Sequence, residues 1–275
     1  MSPTSVLPPA ILFVHGAYHP PAVYAALTSA LRNAGPDVVA PCLASLGNAT
    51  HDVRVPDDDV AVVRGAADEL FAHGRKVVVL AHSIGGFFAT VAIKGHTVTD
   101  RAREGKEGGF AAVVYMNSTL PVGREDTVMS VCDPASAGAF DIDAREDGKI
   151  TNNGCVGQMV GFFKTDPESK ELAFHMFYSC VPRQLAEQTF ASLEGFCTAT
   201  MLTPAPVVVS DLEGFPRTYI VGEQDYIVPL AQQERIIENA PGMKAVRLQD
   251  CGHSPFLTHV DKVVEIVQEV ATKAS

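Results

Sequence analysis

The chain has 275 residues, 47% hydrophobic and 19% charged, a globular balance that excludes extended disorder. Its 32 acidic against 21 basic residues give a formal charge of -11, which repels phosphate backbones and anionic lipid and so speaks against nucleic-acid and membrane partners. No apolar run approaches the ~20 residues of a membrane span.

Taken in chain order, short apolar runs alternate with amphipathic stretches. Residues 1–9 show no positive n-region and no apolar h-region, so no secretory leader is expected. Ala10–Val14 is a continuous apolar run bounded by Pro9 and Gly16 and reads as a buried strand. Pro21–Ala34 predicts a helix and Asp37–Ala40 a second short strand. Asp57–His73 predicts a helix with Asp57, Asp58 and Asp59 at its positive end and Gly74 as its stop. Lys76–Ala81 is the clearest buried strand; Ser83–Lys94 continues as a helix, and Phe110–Met116 is the next strand. Arg101–Glu107 reads as a solvated loop. Between about Pro121 and Ser210 the rhythm fails: helices are expected over Asp166–Val181 and Arg183–Phe196, with loops elsewhere. It then returns with a strand at Arg217–Val221, a helix at Leu230–Asn239, a strand at Ala245–Leu248 and a closing helix at Phe256–Lys273. Such alternation predicts an α/β fold, a mostly parallel twisted sheet with helices on both faces. Residues 1–120 and 211–275 would form the core, and 121–210 an inserted cap over the carboxyl edge, where open α/β sheets bind ligands.

Six cysteines (Cys42, Cys132, Cys155, Cys180, Cys197, Cys251) lie far apart without a CxxC pair. A chain this long buries a core without staples, so free thiols and a cytoplasmic location are expected; one disulfide among the middle four stays open.

The chemistry concentrates at three loops. Lys76–Ala81 runs into His82-Ser83-Ile84-Gly85-Gly86 and then a helix, the strand, turn, helix arrangement a serine nucleophile requires, with Ala81 standing where glycine is usual. A serine at a helix start is by itself common. It gains weight from His15-Gly16 after the first strand, where the Ala17 amide would pair with that of Ile84 to hold a developing oxyanion. Asp225 follows the strand at Arg217–Val221, and His253 follows the last one. Serine, acid, then histidine is the order a hydrolase triad takes, each on a loop after a strand. Glu223 and Asp250 are competing acids whose loop positions fit less well. His82 is expected to point away from the site and pack on neighbouring strands.

On these motifs the chain resembles the α/β-hydrolase superfamily over nearly its whole length. Val14-His15-Gly16-Ala17-Tyr18-His19 followed by Tyr24 is similar to the plant methylesterase and hydroxynitrile lyase branch, and Gly252-His253-Ser254-Pro255-Phe256 to its fungal relatives. Hydroxynitrile lyases carry Lys directly after the histidine; here it is Ser254, which argues against cyanohydrin cleavage. The branch's tryptophan after the HG turn is missing as well. The resemblance implies a serine esterase or lactonase acting on a small to medium apolar metabolite through an acyl-enzyme. Alternatives on the same triad are lyase-type C–C cleavage or decarboxylation, or a low-turnover ligand receptor. His19 is a pocket candidate from the family pattern. Phe162, Phe174, Phe177 and Tyr178 either line an apolar pocket or form the cap's own core. No GxGxxG follows a strand, and neither GxxxxGK[ST] nor HExxH occurs. No nucleotide, metal or organic cofactor is therefore expected, and the chain would act as a monomer or homodimer on a small molecule.

Overall fold

The protein is described by a computed structural model over residues 8–47, 53–144, 149–151, 154–156 and 159–275. Six strands form one parallel sheet: β1 (Ala10–Val14), β2 (Val38–Val39), β3 (Lys76–His82), β4 (Gly109–Met116), β5 (Arg217–Gly222) and β6 (Lys244–Leu248). Their spatial order is β6-β5-β4-β3-β1-β2. The central strands are apolar throughout because helices cover both faces. Along β3, Val77, Val79 and Ala81 face one helical layer and Val78 and Leu80 the other. The first layer holds the helices Asp57–Phe71, Gly85–Ile93 and Leu230–Glu238. The second holds Ala25–Asn33 and Val260–Ala274. Every residue of Gly85–Ile93 is buried, which is why that helix has no polar stripe.

Register aligns the carboxyl ends. Val14 lies opposite Ala81, His82 opposite Met116, Met116 opposite Ile220, and Gly222 opposite Leu248. The loops after β1, β3, β4, β5 and β6 therefore leave the sheet at one edge.

Several elements differ from the sequence expectation. The helix expected over Pro21–Ala34 opens as a tight 3₁₀ turn at Pro21–Tyr24 and becomes α-helical at Ala25. The closing helix is interrupted at His259, between Pro255–Thr258 and Val260–Ala274. Val98–Arg103 forms a short helix that takes in the first three residues of the Arg101–Glu107 segment read as loop. Thr97 and Asp100 there make a reciprocal cap, each side chain accepting the other's backbone N–H.

Beyond β4 the segment expected to form a cap contains strands as well as helices. Phe140–Ala144 pairs antiparallel with Met159–Phe163, which pairs with Phe196–Cys197. Gly154–Val156 pairs with Lys149–Thr151 and with Arg54–Val55, and Leu46 bridges to Phe196, so the loop after β2 is drawn into the cap. Helices Pro167–Tyr178 and Arg183–Phe190 complete it. No helix of the described residues is long and apolar enough to cross a membrane.

Asp57–Asp59 begin a helix as expected, but Asp59 is fully buried. Its carboxylate accepts the Ser45 backbone N–H at 2.9 Å and the Ser45 hydroxyl at 2.5 Å, pinning the loop that reaches the cap. Burial outweighs these bonds and raises its pKa from the ordinary 3.8 to about 6. The unfolded carboxyl titrates first, so this group's contribution to stability is full below its unfolded pKa and is lost as pH rises through about 6. It should account for a fall of about 3 kcal/mol in unfolding free energy over that interval. Urea titrations across the interval are expected to show this fall in the native chain and its absence in Asp59→Asn; equal slopes would refute it.

Candidate active site

Ser83 sits at the junction of β3 and the helix Gly85–Ile93 with φ 51, a left-handed conformation a serine adopts only under constraint. The constraint is crowding. A Cβ on Gly85 would come within 2.4 Å of the Val14 carbonyl oxygen and 2.7 Å of that of His15. A Cβ on Gly16 would meet His82 Nδ1 at 2.8 Å and Ser83 Cβ at 3.2 Å. Glycine at both positions lets the helix start, the turn and the β1 loop interlock. Ala81, the departure from the usual glycine, lies inside β3 and is fully buried.

The three loops converge. The Ser83 hydroxyl donates to His253 Nε2 at 3.1 Å, and His253 Nδ1–H donates to Asp225 Oδ2 at 2.9 Å. Asp225 is buried, whereas Glu223 is half-buried and Asp250 exposed. Asp225 is also fully used as an acceptor. Oδ1 takes the backbone N–H of Ile227 at 2.8 Å and of Val228 at 3.0 Å, and Oδ2 takes Asn117 Nδ2 at 2.9 Å. Such bonds leave no oxygen of the buried carboxylate without a donor. The neighbouring thiols Cys132 and Cys251 are kept protonated, chiefly by burial and then by the Asp225 charge.

Neither the Ala17 nor the Ile84 amide has a hydrogen-bond acceptor among the described residues. Ile84 precedes the first turn of its helix, where the positive end of the dipole lies.

Around this group lie three buried histidines that burial keeps neutral. His15 is lowered to about 4 and His19 to about 3, and His82 lies well below its ordinary value. Their partners assign the tautomers. His15 donates Nδ1–H to the Gly16 carbonyl and accepts the Leu43 amide at Nε2. His82 does more than pack on strands. Its Nε2–H donates to the His253 carbonyl at 2.8 Å and its Nδ1 accepts the Tyr24 hydroxyl at 2.8 Å, while Tyr24 accepts the Gly16 amide at 3.1 Å. A continuous chain thus joins the β1 loop to the His253 backbone.

Tyr24 belonged to the motif after β1 but its role was not foreseen, and Asn117 and Ser118 were not foreseen at all. Asn117, at φ 48, bonds Asp225 and the Gly252 carbonyl. The Ser118 hydroxyl caps the Ala81 carbonyl at 2.8 Å. Both directly follow β4, and a polar pair just past a buried strand is the signal that marks them.

Of the pocket candidates, Phe177 has its ring centroid 5.6 Å from that of His253. The Tyr178 hydroxyl donates to His19 Nε2 at 2.8 Å. Phe174 packs on Phe190 and Tyr178, with the Arg183 guanidinium 4.1 Å over its ring. The side chain of Phe162 lies outside the described residues. Ser83 is 8% exposed and His253 1%, so both are buried. No group of three or more His, Cys, Asp or Glu gathers as metal ligands among the described residues.

Comparison with known proteins bears on the family and the fold. The profile of the alpha/beta hydrolase family matches residues 11–266. The chain is 29% identical to "Alpha/beta hydrolase nvfD" of Aspergillus novofumigatus, over 98% of this chain and 99% of that one. Among solved structures it is similar to the methylesterase MES16 from Arabidopsis (TM-score 0.69, 20% identity, 96% of this chain and 99% of that). It is also similar to polyneuridine aldehyde esterase (TM-score 0.74, 14% identity, 96% and 99%). At these identities the two structures speak for the fold.

The crowding at Gly85 sets an expectation. Gly85→Ala drives a methyl into two backbone carbonyls and should cost about 1–3 kcal/mol of stability. Gly65→Ala, on an exposed helix position with open space around it, should gain about 0.5–1 kcal/mol. Denaturant titration of both variants checks the contrast; equal effects would show that the elbow is not close-packed.

Proposed function

The chain belongs to the alpha/beta hydrolase family, and we propose that it is a serine-dependent carboxylic ester hydrolase working through an acyl-enzyme. The observation that carries the reading is the unbroken bond series from the Ser83 hydroxyl through both nitrogens of His253 to a buried, fully solvated-by-protein Asp225.

Ser83 Oγ attacks the carbonyl carbon of an ester or lactone, and its proton passes to His253 Nε2. The imidazolium so formed is stabilised by Asp225 through Nδ1–H. Charge moves to the carbonyl oxygen, where the Ala17 and Ile84 amides receive it; preorganised donors of this kind act on the transition state more than on the substrate. The ester C–O bond then breaks, His253 returns the proton to the leaving alkoxide, and alcohol and acyl-Ser83 result. Water, deprotonated by the same nitrogen, attacks the acyl carbon, and collapse releases the carboxylic acid and regenerates the Ser83 hydroxyl. An incoming water needs no cofactor.

Its structural neighbours include a methylesterase and polyneuridine aldehyde esterase, which favours ester chemistry. The histidines around the serine are neutral and Phe177 stands against His253, which suits an uncharged substrate of small to medium size. Ser254, directly after His253, spends its hydroxyl on the Phe177 carbonyl at 2.9 Å and brings no cation to the site. This disfavours the lyase-type alternative, which would use a positive group to hold a leaving anion.

The test is fluorophosphonate labelling alongside turnover of short p-nitrophenyl esters. Native protein is expected to label and turn over. Ser83→Ala should do neither, and Asp225→Asn should retain labelling only slowly, with kcat down about 10⁴-fold. An unlabelled, inert and folded native protein would overturn the esterase reading.

A further inference from the structure

The loop after β1 packs on core rings through His19, but the hydrogen bonds and stacking on its far side come from residues of the 121–210 segment. Tyr18 takes φ 63. Its buried ring stacks on Phe140 at 4.8 Å and meets Phe163 at 5.0 Å and Phe196 at 5.7 Å, all on cap strands. Its carbonyl accepts the Glu194 amide at 2.9 Å, again from the cap. His19 Nδ1–H donates to the Ala17 carbonyl at 2.7 Å, which leaves Nε2 to accept the hydroxyl of Tyr178, in the last turn of the cap helix Pro167–Tyr178. Burial keeps His19 neutral and Tyr178 protonated, so this bond has one direction. On the near side, Gly16 is tied to the core through Tyr24. The Gly16–Ala17 peptide, whose N–H has no acceptor, is therefore strung between core and cap.

We propose that Tyr18, His19 and Tyr178 are positioning residues that set the Ala17 amide, so that the oxyanion donors are complete only when the cap is shut. This rests on the serine hydrolase reading above. An open cap withdraws the Tyr178 hydroxyl, the Glu194 amide and the aromatic bed of Tyr18 together. The positive φ of Tyr18 then has nothing to sustain it, since such backbone strain persists only where surroundings impose it. Substrate entry and assembly of the anion-stabilising pair become one event: an ester reaching Ser83 through an open cap meets a nucleophile without its full electrostatic support. Turnover then waits for closure, which also expels bulk water from the acyl-enzyme until the product alcohol leaves.

The experiment compares a p-nitrophenyl ester with its thionoester, in which sulfur replaces the carbonyl oxygen and accepts hydrogen bonds poorly. The rate ratio of the two substrates reports on the Ala17 and Ile84 donors. Tyr178→Phe keeps the ring and removes the hydroxyl. It is expected to lower kcat on the ester by about 10-fold with KM nearly unchanged, to leave the thionoester rate alone, and so to shrink the ratio by about 10-fold. His19→Gln loses the bond to the Ala17 carbonyl as well and its ratio should fall at least as far, and the double variant should be no worse than His19→Gln alone, because Tyr178→Phe then removes nothing further. His175→Ala, exposed on the same helix, should change nothing. If ester and thionoester rates fall together, if neither falls, or if the two single effects add, the proposal is overturned. Thermal unfolding of each variant separates a loss of fold from these outcomes. Loss of all ester turnover in Ser83→Ala is a separate matter: its failure would sink the hydrolase reading, whereas an unmoved ratio in Tyr178→Phe would sink the coupling alone.

Discussion

At Ser83 the backbone holds a left-handed conformation that costs roughly 1–3 kcal/mol for a residue with a side chain. The surroundings hold it there by contact. Gly85 presses on the Val14 and His15 carbonyls, Gly16 presses on His82 and Ser83, and the serine's own carbonyl accepts the Thr119 and Gly86 amides at 3.0 Å. None of these contacts survives if the sheet register shifts or if either glycine gains a methyl. The parallel alignment of β1, β3 and β4 at their carboxyl ends is thus what allows the turn, and the turn is what aims the hydroxyl at His253.

A second condition is electrostatic. One carboxylate charge is buried beside the histidine, and the protein meets it with four donors, two from the backbone and one each from Asn117 and His253. Everything else nearby is neutral: His15, His19 and His82 are held unprotonated and the adjoining thiols undissociated, all by burial. A lone charge in apolar surroundings acts over a longer reach than one on the surface, because less solvent screens it. The orientation of His253 is consequently set by few groups, each of which counts.

The sheet and its order of elements were readable because buried parallel strands leave continuous apolar runs, as in Ala10–Val14 and Lys76–Ala81. Ser83, Asp225 and His253 stood out because each lies just after such a run, and the structure brings the three together. What the sequence hid is tertiary. Asp59 looks like an ordinary helix-start acid, and only the return of Ser45 over it makes it a buried one. Asn117 carries no local pattern, and its partner Asp225 is 108 residues away along the chain; Tyr24 stood in the motif after β1, but its bond to His82, 58 residues away, is tertiary. The short strands of the 121–210 segment escaped notice because two to five residues give too little period to read, and Arg54–Val55 pairs with a segment far beyond it. Phe174 and Phe177 share one helix, and a spacing of three did not tell that one turns to His253 and the other to Arg183.

The shut state has a kinetic meaning of its own. With Ser83 only 8% exposed, an outside reagent sees the hydroxyl for the fraction of time that the lid region stands aside. If that fraction were about one in a hundred, apparent affinity would weaken about a hundredfold while the intrinsic reactivity stayed intact. Two ligands of equal chemical reactivity would then be ranked by how well they fit the rarer conformer. Selectivity in this protein would be exercised at the doorway, as a matter of population, before any bond is made or broken.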